Sequence, residues 1–204
     1  MANLCESLIS GCIAANCDNP LYAGIDPIGY IANFADIASV TYDETNPAII
    51  TGITMKTDTV GSSQVSRCFY TVQQLGSKPF DGSQVEMNEG TYANRFTNTV
   101  QFAVLDNSPE TVQNVVTQLA NGRFVVILKN DFKGEDGKSK YSVFGIKKGL
   151  KASSIQRELW GDNESAWICT MVEENSPSAG LFFYTTSESA TDTAINALLC
   201  NCNE

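Results

Sequence analysis

Histidine is absent from all 204 residues. A chain without imidazole has no Ser-His-Asp or Cys-His relay and no histidine-ligated zinc. It also lacks the one side chain whose ordinary pKa lies near neutrality. Cations are scarce as well, with 13 Lys and Arg against 23 Asp and Glu, for a formal net charge of −10. Tight grip on a phosphate backbone needs clustered Lys and Arg, so strong nucleic-acid binding is not expected. An acidic surface suits either indifference to DNA or a wall along which DNA slides without sticking. No apolar run approaches the roughly 18 residues that span a bilayer. Residues Met1 to Glu6 lack the basic start of a signal peptide, so synthesis and folding in the cytoplasm are expected. Also missing are the Gly-x-x-x-x-Gly-Lys, Gly-x-Gly-x-x-Gly and Gly-x-Ser-x-Gly motifs, and any repeat of about 20 to 50 residues.

What is present supports a core. The chain is 43% hydrophobic and only 18% charged, which separates it from disordered polyampholytes. Its length fits one all-β domain. Residues 1–28 read as an N-terminal arm, with a short helix over Leu8 to Ala15. Strands are expected at Gly29 to Asp36, where Ile28, Tyr30, Ala32 and Phe34 alternate, and at Ala48 to Thr57, rich in β-branched residues. A further strand at Val65 to Gln74 sits within a polar region, 58–94, that reads as a protruding hairpin or loop. Arg95 to Leu105 places Phe96, Val100, Phe102 and Val104 on one face, broken only by Asn98.

The clearest local signal is Ser108-Pro109-Glu110, a cap, a first-turn proline and an acid at the positive helix end. It predicts a helix over about 109–121. Val112, Val115, Val116 and Leu119 would form its apolar stripe, and Asn121-Gly122 a left-handed stop. A hairpin follows, pairing Arg123–Lys129 with Tyr141–Lys147 around a turn at Asp131–Lys138. Strands at Ala166 to Glu173 and Gly180 to Tyr184 and a helix at Ala190 to Leu199 complete the chain, with 190–204 as helix and tail. The fold expected is a single mainly β domain, a β-sandwich or barrel with one packed helix.

The seven cysteines, Cys5, Cys12, Cys17, Cys68, Cys169, Cys200 and Cys202, are odd in number and lack any Cys-x-x-Cys knuckle. They read as reduced thiols, with Cys68 and Cys169 as small buried hydrophobes. Asp131–Lys138 has Lys133 where a calcium loop needs a ligand, so it reads as a turn. The pairs Asp43/Glu44 and Glu173/Glu174 read as solvated edges, because adjacent strand residues face opposite ways and no apolar pocket flanks them. Trp160 and Trp167, flanking Gly161 to Ser165, read as packing residues that could form a recognition loop. No catalytic, cofactor-binding or metal-ligating residue is nominated, and no cofactor is expected.

Asn16-Cys17-Asp18-Asn19-Pro20-Leu21, Gly24-Ile25, Ile31-Ala32-Asn33, Glu89-Gly90-Thr91-Tyr92-Ala93-Asn94-Arg95-Phe96 and the strand–helix–strand block Val100 to Leu128 resemble virion proteins of bacteriophages from gut bacteria. Across about two thirds of the chain the resemblance is to the tail tube family of long-tailed phages. It implies a sandwich or barrel subunit with a flanking helix and a protruding loop, assembling into hexameric rings that stack as a conduit for DNA ejection. It further implies a non-enzymatic protein of the virion tail, assembled in the host cytoplasm. Its partners would be copies of itself and other tail proteins, with DNA passing unbound and no membrane. The cysteine-bearing arm departs from the family pattern. A capsid decoration or head–tail connector protein, or a thiol-dependent metal-binding protein using the terminal cysteines, are the other readings.

Overall fold

A computed structural model of the chain describes residues 24–60, 63–73, 80, 82–159 and 165–200. The strands are β1 (Ile25–Asn33), β2 (Ile37–Tyr42), β3 (Ile49–Met55), β4 (Thr57–Val60), β5 (Ser63–Ser66), β6 (Tyr70–Gln73), β7 (Gly82–Asn88), β8 (Arg95–Val104), β9 (Phe124–Asn130), β10 (Tyr141–Phe144), β11 (Lys151–Arg157), β12 (Trp167–Ser176) and β13 (Leu181–Phe183). Helix α1 covers 109–121, and helix α2 covers Glu188–Ala197. The fold is mainly β, as expected. A seven-stranded sheet ordered β2-β3-β13-β10-β9-β1-β6 lies against a four-stranded sheet ordered β11-β12-β8-β7, and β4 pairs with β5 as a separate ladder.

The apolar run at 124–128 explains the layering. All five residues are buried, and a strand's side chains alternate between faces, so β9 must be covered on both. Val125 and Ile127 join a cluster with Tyr30, Ile50, Phe183 and Ile195 of α2. Phe124, Val126 and Leu128 join another with Val100, Phe102, Cys169 and Met171 of the smaller sheet. The order of layers is therefore α2, large sheet, small sheet, with two cores sharing β9.

Helix α1 begins as the sequence predicts: Ser108 Oγ accepts the Thr111 N–H at 3.2 Å. Asp106 is also drawn in, accepting from the Thr111 and Ser108 hydroxyls, which lowers its pKa to about 2. The stripe is different. Residues Val112–Val116 adopt π spacing, which shifts the helix phase so that Val116 and Leu119 are buried while Val115 turns outward. Gly122 is extended, at φ −94° and ψ 179°, rather than left-handed. Glycine is needed there because a Cβ would lie 2.3 Å from the Phe124 ring.

Helix α2 is fastened by charge. The nearly buried Lys140 ammonium contacts Glu188 Oε1 at 2.9 Å and Asp192 at 2.7 Å. Tyr141 donates its hydroxyl to Asp192 at 2.8 Å, and Lys133 contacts Glu188 at 2.8 Å. Burial opposes the Lys140 charge, but the Asp192 and Glu188 hydrogen bonds outweigh it and its pKa rises. Burial first, then Asp192, pushes the Tyr141 phenol upward. Past the helix, Phe69 N–H donates to Leu198 O at 2.8 Å and Cys200 N–H to Phe69 O at 2.9 Å.

That pairing brings Cys68 and Cys200 together as a disulfide, with Cα atoms 5.2 Å apart. The expectation of reduced thiols is corrected here. Spacing in sequence gave no clue, because the two cysteines meet only when the segment after α2 returns to the stretch between β5 and β6. Cys169 is a buried free thiol as expected, its pKa raised to about 11 by burial. Cys5, Cys12, Cys17 and Cys202 lie outside the described residues, as do the expected helix at 8–15 and most of the 1–28 arm. Residues 25–28 belong to β1. Within 58–94, Phe69 is buried and β6 joins the large sheet, while β7 stands exposed. Strands β2, β7 and β11 carry no strong apolar pattern and had not been expected.

Non-reducing peptide mapping should recover Cys68 linked to Cys200. Because the bond closes a separation of 132 residues, Cys68→Ser should lower unfolding free energy by about 2–4 kcal/mol in denaturant titrations. A second expectation concerns acid. Hydrogen bonds from Lys133 and Lys140 hold the Glu188 pKa down to about 2 from 4.5. A depressed carboxyl stabilises above its unfolded value, and that contribution fades as pH falls from about 4.5 towards 2. Denaturation midpoints across this window should fall less steeply in Glu188→Gln than in the parent.

Candidate assembly surface

The four-stranded sheet is unlike the large one in what covers it. Its inner face carries Asn98, Val100, Phe102, Cys169 and Met171, all buried. Register assigns β7 to the same plan: Val85 lies opposite Asn98, and Met87 opposite Phe96. These two side chains therefore project from the core-facing side, yet Val85 is 40% and Met87 60% exposed. Phe80, packed at Gly29 and Leu128, anchors the chain entering β7. Beyond that anchor the strand overhangs the large sheet, so both of its faces meet solvent. Tyr92, in the connection to β8, is 100% exposed.

Among the described residues β7 pairs only with β8 and β11 only with β12, and the C-terminal half of α1 packs against β11. The charges of these two edge strands are opposite. Residues 82–94 contain Glu86 and Glu89 and no cation, whereas Lys151–Arg157 contains Lys151 and Arg157 and no carboxylate. Unpaired N–H and C=O groups along an exposed edge are a template for another strand.

The outer face is largely neutral. Across it run Gln84, Thr99 and Val172, then Gln101, Thr170 and Ser154, joined by Thr97 and Gln156. Asn88 donates to Thr97 Oγ1 at 2.5 Å. Glu86 and the outward-facing Glu174 bring negative charge to this face, and Arg95 and Lys151 positive charge.

The Glu173/Glu174 pair is the one most altered from expectation. The two do face opposite ways, but Glu173 points inward and is only 2% exposed, correcting the solvated-edge reading. Its Oε1 accepts the Lys148 N–H at 2.7 Å, and its Oε2 accepts from Asn98 Nδ2 at 2.9 Å. Asn98, the one break in the β8 stripe, is thus the signal that a polar partner lay opposite. Asn98 Oδ1 and Ser176 Oγ remain buried without a partner among the described residues. Asp43 caps a turn by accepting the Thr45 and Asn46 N–H groups. Trp167 is half-buried, with the Arg157 guanidinium 5.4 Å from its ring, while Trp160 lies outside the described residues. The 131–138 segment is a turn, held by Ser139 N–H to Lys133 O at 2.8 Å.

An open groove of about 780 Å³ lies at the far end of β8, lined by Tyr70, Val72, Phe102, Val104, Val115 and Leu119. A smaller one of about 340 Å³ lies at the start of β11. No helix is long and apolar enough to cross a membrane among the described residues, and no three of His, Cys, Asp and Glu group there as metal ligands.

No family model, curated protein or solved structure matches the chain. The surface itself is therefore the guide to function: two unpaired edges of opposite charge, a strand uncovered on both faces and a neutral outer sheet.

Removing one partner of a buried polar pair leaves the other unsatisfied, whereas removing both can be far cheaper. Glu173→Leu alone should cost about 2–4 kcal/mol. Asn98→Val with Glu173→Leu should cost less than the sum of the single changes, read from a double-mutant cycle of denaturant unfolding.

Proposed function

We propose that the protein is a structural subunit of the phage tail tube kind, which builds rings by joining its four-stranded sheet edge to edge with the next copy. The observation that carries this reading is β7: an overhanging edge strand with apolar side chains bare on its inner face and a charge opposite to that of the sheet's other edge. An exposed edge with uncovered Val85 and Met87 is an aggregation hazard unless a partner occupies it.

The topology supports closure. Strands β11, β12, β8 and β7 alternate in direction. Copies related by rotation therefore set β7 of one antiparallel to β11 of the next, which leaves no edge free. Glu86 and Glu89 would then approach Lys151 and Arg157. Six copies contribute twenty-four strands. At about 4.8 Å spacing and a tilt of about 40°, their backbones enclose roughly 45–50 Å, wide enough for a DNA duplex inside a layer of side chains. The neutral rows of Thr and Gln would face the passage, with too few cations to hold phosphate along its length. This replaces the acidic wall inferred from net charge: the wall works by lacking cations.

The same observations fit a connector or decoration ring less well, since those need no continuous lumen sheet. The thiol-metal reading loses support from the Cys68–Cys200 bond, which ties up one of the two C-terminal thiols.

Electron microscopy of concentrated protein should show rings or tubes. Val85→Lys with Met87→Lys should leave circular dichroism unchanged and abolish them. Glu86→Lys with Glu89→Lys should likewise block assembly, and adding Lys151→Glu with Arg157→Glu should restore it. A parent protein that stays monomeric at high concentration would defeat the proposal.

A further inference from the structure

We infer that the cavity at the start of β11 is an oxyanion site that takes a terminal phosphate, either inorganic or a phosphomonoester. Its walls bring together Arg123, Lys148 and Lys151, with Glu174, Asn175 and Ser153 completing them, around about 340 Å³. Five cations elsewhere sit against carboxylates, Arg67 on Asp58, Lys129 on Asp26, Lys133 and Lys140 on Glu188, and Lys138 on Asp136, while Lys147 and Arg157 lie over the Tyr42 and Trp167 rings. None of the three cavity cations has a carboxylate within ion-pair distance among the described residues.

The backbone is shaped to keep them together. Gly149 holds φ at +80°, and a Cβ there would lie 2.9 Å from the Arg123 Cβ. The turn therefore presses against Arg123 at a spacing only glycine permits, and this places Lys148 and Lys151 on either side of it. Arg123 Nη1 donates to Lys148 O at 3.4 Å, which leaves the other guanidinium N–H groups free to point at a ligand. Asn175, at φ +55°, bends the end of β12 onto the same cavity.

Charge selects the ligand. Three cations and the Glu174 carboxylate leave a formal surplus of two positive charges, which a phosphate dianion neutralises and a single carboxylate does not. Counting the buried Glu173 beneath, whose Oε1 accepts the Lys148 N–H, the sum is still positive. Repulsion among such cations is relieved by a shared oxyanion, and guanidinium pairs with phosphate through parallel N–H donors. The site does not depend on the ring reading, but in such a ring Lys151 would also face Glu86 and Glu89 of the next copy, so the unassembled chain is the form that presents all three cations to a ligand.

Equilibrium dialysis of the full chain, kept dilute and unassembled, against radiolabelled inorganic phosphate at ionic strength held constant with chloride tests this. The expected result is saturable uptake of about one phosphate per chain. Arg123→Gln and Lys151→Gln, both at exposed positions, should each weaken it about tenfold, the loss expected for one charge-assisted contact. Lys138→Gln, on the opposite side of the large sheet's hairpin, should leave it unchanged. No saturable uptake, or equal weakening by Lys138→Gln, overturns the assignment. So does uptake of a short DNA duplex at the same residues with none of phosphate, which would make the ligand a phosphodiester.

Discussion

The double-sided burial of β9 is the constraint from which the architecture follows. A strand in which Phe124 through Leu128 all avoid water cannot sit on an open sheet. One face requires α2 and the other requires the small sheet. The Lys140–Glu188–Asp192 cluster then explains how a short helix with little apolar surface stays on the outer layer. Lys140 immediately precedes β10, and its carbonyl accepts the Asn130 N–H at the end of β9, so the charge that anchors α2 is placed by the hairpin that α2 covers.

How much was legible in sequence depended on how many neighbours each residue needed. The β9 run, the Ser108-Pro109 helix start and the alternating stripe of β8 were readable because their signals lie within a few residues. Strands β2, β7 and β11 were not, since exposed or edge strands take their place from the ladder and need no apolar period. Glu173 was misread for a related reason. Its strand alternation was correct, but which of two adjacent carboxylates faces inward is decided by Asn98, 75 residues away. The Cys68–Cys200 bond and the phase of α1 were likewise fixed by tertiary packing, one by the return of the chain terminus and the other by π spacing. Of the assembly surface, sequence showed the polarity of 82–94 but not that Val85 and Met87 lie bare beside a core.

Charge is distributed with a purpose that net charge conceals. A total of −10 suggests uniform repulsion, yet the outer face of the small sheet is close to neutral. Its two edges differ in sign, and one corner collects unpaired cations. Heterologous contacts need two different complementary surfaces on one molecule, and in the ring we propose opposite edges of one sheet would provide them. Such an interface also penalises the wrong pairing, because like edges meet like charges.

The large sheet has a further property that follows from its order. β13 lies between β10 and β3 and runs parallel to β3, pairing Phe182 with Ile49 and Phe183 with Ile50. Among the described strands the β2–β3 hairpin therefore hydrogen-bonds to the rest of the sheet through β13, which is made long after it. During synthesis the early hairpin must wait, unattached, while more than a hundred later residues leave the ribosome. Vectorial translation thus delays closure of this ladder until β13 has been made, and a chain cut short before β13 leaves the β2–β3 hairpin without its strand partner.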